Sequence, residues 1–137
     1  DGEQGDAFGT SIALTEGMVF IGAPKRKSGK GGVYVYTVSG SIWIEQEILE
    51  PQSLLSGGFT GQTLALCDNW LAVPFKNWKA VALYSYSGTS FKLDRTIQPE
   101  DPTTSSSFGS SVVFNGTKLL VGDSGFDSDK GRIHIFE

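Results

Sequence analysis

One cysteine, one histidine and one methionine stand among 137 residues. A lone Cys67 cannot close an internal disulfide. Its place in a β-rich stretch predicts a small buried thiol, and it leaves the redox compartment open. A lone His134 supplies one ordinary acid–base group near neutral pH. No Ser, Cys or carboxylate pair can be placed beside it to make the nucleophile–base couple of covalent catalysis. Positive charge is also short: 11 Lys and Arg face 15 Asp and Glu, for a net charge of −4. Nucleic-acid surfaces carry the reverse balance, so no nucleic-acid partner is expected. No apolar run approaches the roughly 20 residues of a membrane-spanning helix, so this segment is not expected to insert into a bilayer. No stretch has the helical spacing of apolar residues. No signal peptide opens the chain, which starts Asp1-Gly2-Glu3-Gln4 without methionine. A processed product, or a piece of something longer, is the expectation.

What the chain does have is 18 glycines and many short runs of Val, Ile, Phe, Tyr and Thr between turn residues. That is the pattern of an all-β protein. The runs recur. Phe8-Gly9-Thr10-Ser11-Ile12-Ala13-Leu14, then Met18 to Pro24, then Gly32-Val33-Tyr34-Val35-Tyr36 return as Phe108 to Phe114, Leu119 to Gly122 and Gly131 to Phe136, at an offset of 100 residues. A worn copy lies between them: Gly61 to Leu66, Trp70 to Pro74, and Leu83-Tyr84-Ser85-Tyr86. A period of roughly 50 falls in the range of propeller blades.

Strands are expected near 11–15, 18–22, 32–38 and 42–49, then 62–67, 70–74, 80–86 and 90–97, then 110–114, 118–122 and 131–136. The units run over about 8–51, 59–99 and 108–137, the last without a fourth strand. Trp43 matches Phe91 and Pro51 matches Pro99; His134 is set against Tyr34 and Tyr84 as a packing position. Asn115-Gly116 between two apolar runs is a strong hairpin signal. Both alternating faces of the third strands carry large side chains, so the sheets should be covered on both sides. The fold expected is all-β, built from four-stranded antiparallel meanders as propeller blades, forming an incomplete propeller of about three blades.

The pairs Phe8-Gly9 with Gly22-Ala23-Pro24, and Phe108-Gly109 with Gly122-Asp123-Ser124, resemble the FG-GAP repeats of integrin α-type propellers. The second unit departs from the pattern, with Thr60-Gly61 for Phe-Gly and Pro74-Phe75 for Gly-Ala-Pro. The resemblance implies extracellular or cell-surface placement and a role in adhesion or protein recognition. It implies further blades of the same larger chain, or protein partners, to complete the ring. Many repeats of this type hold calcium between their first two strands. Here those connections are Thr15-Glu16-Gly17, Asp68-Asn69 and Asn115-Gly116-Thr117, too poor in oxygen ligands for calcium. No metal and no cofactor are expected.

Candidate binding residues lie in the connections between second and third strands. The first is basic, with Lys25, Arg26 and Lys27; the second presents Phe75, Lys76 and Trp78; the third is acidic, with Asp123, Asp127 and Asp129. Variable loops on a regular scaffold commonly carry recognition. The alternative is that the aromatics cover the second unit and the charges keep it soluble. Asn115 heads the Asn-Gly-Thr glycosylation sequon. The function expected is a non-enzymatic extracellular interaction, adhesion or assembly module. A carbohydrate-binding module stacking glycans on Trp78 and Phe75 is the alternative.

Overall fold

Each apolar run pairs with the next one along the chain. In the computed structural model, which describes residues 2–50, 58, 60–75, 77, 79–103 and 107–137, this gives three antiparallel sheets. β1 (Ser11–Leu14), β2 (Met18–Gly22), β3 (Val33–Ser39) and β4 (Ile42–Leu49) form the first, in the order β1-β2-β3-β4. β5 (Ala65–Cys67), β6 (Trp70–Phe75), β7 (Ala80–Tyr86) and β8 (Phe91–Ile97) repeat that order in the second. β9 (Phe108–Asn115), β10 (Lys118–Asp123) and β11 (Arg132–Phe136) form the third. The protein is all-β with the up-and-down sheets of propeller blades. α1 (Arg26–Gly29) is a helical exception, where a loop was expected. It is a single tight turn, because Lys27 and Ser28 adopt left-handed backbone angles that no α-helix continues through.

The registers align the three sheets residue by residue. Gly22 faces Val33, Pro74 faces Val81 and Gly122 faces Ile133. Tyr34, Ala82 and His134 are therefore equivalent, and Tyr84 matches Tyr36 and Phe136 instead. The match of His134 with Tyr84 is corrected by two residues. The cause is the connection from Pro74 to Val81, which is shorter than the one from Gly22 to Val33. A slip of two keeps every side chain on its own face, so alternation in the sequence cannot reveal it. Trp43 and Phe91 do occupy matching places, opposite Val38 and Tyr86. β3–β4 and β7–β8 also share a bulge at the same point, after Val35 and Leu83. β5 starts at Ala65 rather than residue 62, and β9 starts early, at Phe108.

The chain divides into two compact units, Asp1–Gln62 and Thr63–Glu137. In the second, two sheets pack face to face. Ala65, Ala72, Val81, Leu83 and Ile97 of the β5–β8 sheet meet Phe108, Leu119 and Val121 of the β9–β11 sheet. Val112, Phe114 and Phe136 close the edges of that core. The opposite face of the β5–β8 sheet is buried too, with Leu71, Val73 and Ala82 fully inaccessible. The outer face of the β9–β11 sheet is not: Val113, Ile133 and Ile135 are 56%, 67% and 61% exposed. In the first unit Phe20, Val33 and Val35 lie on the buried face, while Ile12 and Leu14 on the other face are 66% and 65% exposed. Coverage on both sides thus describes the second sheet, whereas the first and third each leave one apolar face open.

Leu119 is 2% exposed at the centre of the second unit's core. Leu119→Ala should lower unfolding stability by about 2–5 kcal/mol, through lost burial and the cavity left behind. Val113→Ala, on the open face, should change it by less than about 1 kcal/mol. Urea midpoints of the two variants check this.

Candidate functional site: sheet ends, loops and open faces

At the end of β2 the backbone of another segment comes into direct contact with the sheet. A Cβ on Gly22 would overlap the carbonyl oxygen of Gly61 and the hydroxyl of Ser11. The same Ser11 hydroxyl donates to the Gly61 carbonyl at 2.7 Å. Gly61 has φ +88°, and a Cβ there would lie 3.0 Å from the Gly22 Cα and 2.7 Å from the Gly32 carbonyl. Only glycines let these two backbones meet. Thr60 extends the contact: its N–H donates to the Lys30 carbonyl, and it forms a parallel bridge with Gly31.

The second unit repeats this clasp. Gly109, at φ +86°, would bring a Cβ within 2.9 Å of the Pro74 ring. Pro74 holds the place of Gly22, and Gly109 that of Gly61. The phenylalanine that precedes such a glycine turns onto its own sheet. Phe8 meets the Tyr34 ring edge-on at 5.0 Å and 81°, and Phe108 meets His134 at 5.0 Å and 80°. In the second sheet both members of this pair are small, Thr60 and Ala82. Thr60 is 1% exposed, and its hydroxyl lacks a hydrogen-bond partner among the described residues. His134 is therefore a ring-packing residue. Its Nε2 lies 3.8 Å from the buried Asp123 carboxylate, and its side chain is 12% exposed.

The loop residues separate by environment. In the basic loop, Arg26 ion-pairs with Glu50, and its Nε donates to the Tyr34 hydroxyl at 3.1 Å. Lys27 reaches the same carboxylate at 2.8 Å. Two of the three cations thus fold back onto their own sheet, and Lys25 is exposed. In the second loop Phe75 is 5% exposed, a core side chain at the end of β6. Lys76 and Trp78 lie outside the described residues, as does Pro51. In the acidic loop Asp123 is buried and accepts the Ser107 N–H at 3.0 Å. Asp127 pairs with Lys130 at 2.6 Å, and Asp129 is exposed. Asp127, Ser128 and Asp129 all have positive φ, which aspartate tolerates better than most residues. The structure does not gather the acidic residues into one cluster. Among the described residues, no group of three or more His, Cys, Asp or Glu could hold a metal ion.

Asn115 and Gly116 form the β9–β10 hairpin turn, with Gly116 at φ +57°, and the sequon through Thr117 is exposed. Cys67 is half-buried rather than buried, its thiol 3.6 Å from the Gly116 carbonyl. Loop reasoning missed the open sheet faces. Their signal was available in Ile12, Leu14, Ile133 and Ile135, once the registers say which residues share a face.

Antiparallel meanders joined by a recurring glycine clasp define a repeat protein of the propeller-blade class. Residues 1–36 match the FG-GAP repeat family model. This stretch is similar to an FG-GAP repeat, and the clasp gives the repeat's motif a physical meaning. No curated protein matches the chain. No helix among the described residues is long and apolar enough to cross a membrane.

Two outcomes test this geometry. Gly22→Ala should destabilise the protein by about 1–3 kcal/mol, because the new methyl meets backbone that cannot rotate away. Gly17→Ala, where a Cβ meets nothing within 4 Å, should be neutral or slightly stabilising. Thermal unfolding of the pair reads the difference. The second outcome concerns pH. Partial burial pushes the Glu50 carboxyl up, but the Lys27 hydrogen bond and the Arg26 charge outweigh it, and its pKa is lowered. The stability this brings is present above the ordinary carboxylate pKa of about 4.3 and is lost as pH falls through the lower folded value. With Glu50 a third exposed, the effect should stay within about 1 kcal/mol. Glu50→Gln should flatten the acid limb of stability against pH, and unfolding titrations from neutral to acid pH should show it.

Proposed function

We propose that this protein is a non-enzymatic interaction module acting outside the cytoplasm, in adhesion or assembly, and that it recognises protein through its open sheet faces. The observation that carries this reading is the concentration of large exposed apolar side chains on one face of the first sheet and one face of the third. Ile12 and Leu14 lie on one, and Val113, Ile133 and Ile135 on the other. Contiguous apolar surface of this kind mostly marks an interaction site. The FG-GAP repeat at residues 1–36 supports the same reading, as such repeats are typical of extracellular propellers. The candidate general base, His134, is packed against Phe108 and Phe136. That arrangement favours a structural role over proton transfer. Among the loop residues, Lys25 and Asp129 extend from the same scaffold as exposed charges that can set specificity at the rim.

The experiment is a binding screen of the immobilised chain against extracellular proteins, run beside Ile12→Lys and Ile133→Lys variants. Protein binding that falls by more than about tenfold in at least one variant is expected for an apolar anchor. Binding unchanged in both variants would reject the open faces as the recognition surface. Turnover of a hydrolase substrate panel that disappears in His134→Ala would reject the non-enzymatic reading.

A further inference from the structure

The two open faces are not alike, and the registers show how they differ. In the second unit the β9–β11 sheet packs on its neighbour through Phe108, Val112, Phe114, Leu119, Val121 and Phe136. The equivalent positions of the first sheet are Phe8, Ile12, Leu14, Val19, Ile21 and Tyr36. All are apolar or aromatic; Ile12 and Leu14 stand exposed on this face, and Phe8, Val19, Ile21 and Tyr36 are half-buried. On the receiving side of the same packing, the β5–β8 sheet offers Ala65, Ala72, Val81 and Leu83. Their equivalents in the third sheet are Val113, Leu120, Ile133 and Ile135, again on the open face. One open face is of the inserting kind and the other of the receiving kind.

The glycine clasp divides the same way. A Cβ on Gly9, at φ +90°, would meet nothing within 4 Å, whereas the equivalent Gly61 and Gly109 press on backbone and proline. Gly122, the equivalent of Gly22, lies in a shallow open depression lined by Ser111, Ser124 and Ile133. Ser111 stands where Ser11 stands, and Ser11 donates to the carbonyl of the incoming glycine. Both halves of a clasp are thus present and unengaged within one chain.

We infer that the protein associates head to tail with a second copy of itself. Gly9 of one copy seats at Gly122 of the other, and the Ile12–Leu14 face covers the Ile133–Ile135 face. The Ser111 hydroxyl donates to the Gly9 carbonyl of the incoming copy. This interface is heterologous, joining two different surfaces. It continues from copy to copy the packing already seen between the two sheets of the second unit. The inference rests on the proposed interaction role and names the partner.

Sedimentation velocity on the whole chain from micromolar to near-millimolar concentration tests it. A concentration-dependent rise in mass is expected. The double variant Ile12→Lys, Leu14→Lys and the single variant Ile133→Lys should each be monomeric when alone. Their mixture should form a one-to-one dimer, since one intact head then meets one intact tail. These positions are at least three-fifths exposed, so circular dichroism should show both variants folded. Ser111→Ala should weaken the association about fivefold, the size of one neutral hydrogen bond. A monomer at every concentration overturns the inference, as does a variant that still dimerises alone, which would mean like faces pairing. A monomer that still loses binding to a screened protein through Ile12 or Ile133 keeps the interaction role and removes only the second copy.

Discussion

The structure depends on one close approach between two stretches of main chain. Where β2 ends, the carbonyl of Gly61 lies against the Cα of Gly22, in space a side chain would otherwise occupy. Two features of the repeat follow from that contact. The glycine at the end of the second strand is needed for room. The glycine on the arriving segment is needed for its positive φ, which turns the chain into its own first strand. The phenylalanine that precedes the glycine packs on a ring of its own third strand, Phe108 on His134 beside the engaged Gly109 and Phe8 on Tyr34 beside the unengaged Gly9, so this packing accompanies the clasp without requiring it. Where the arriving glycine meets Pro74 instead, the flat ring still leaves it space, and the second unit keeps the architecture without keeping the motif.

Sheet packing alone would not specify how such units stack. Hydrophobic contact is non-directional, and any two apolar faces can meet. The clasp supplies direction, because within each unit it fixes an arriving glycine segment at the end of a second strand, Gly61 at β2 and Gly109 at β6. With that join made, the register decides which face turns inward. In the second unit Leu119 and Val121 turn in and Leu120 turns out, although all three are apolar neighbours on one strand. The result is a first sheet with an exposed inserting face, a third sheet with an exposed receiving face, and a second sheet whose two faces are both buried.

Charge plays a smaller part than the loop composition implies. A basic loop and an acidic loop read as surfaces waiting for partners. Instead Glu50 draws in Arg26 and Lys27, Lys130 takes up Asp127, and Asp123 serves the Ser107 amide. Exposed ion pairs of this sort contribute little individually. The Glu50 pairs tie the first connection back to the end of β4, and the Asp127–Lys130 pair closes the acidic connection on itself, which leaves the apolar faces as uncommitted surface.

Much of the fold could be read from the residues. Strand rhythm, hairpin turns such as Asn115-Gly116 and the recurrence of Phe-Gly with Gly-Ala-Pro follow from local chemistry, because backbone angles and side-chain alternation are local properties. The site was less legible. Phe75 and Asp123 looked like loop residues and are buried, since burial depends on what the rest of the chain places over them. The equivalence of His134 was misjudged because a shortened connection moves the alignment by two, and two is the period of a strand. By itself, then, the amino-acid order determined an all-β repeat protein and the residues that share each face. Tertiary structure alone decided which faces are covered and which stand open, because alternation states that two side chains are on the same side and never what lies opposite them.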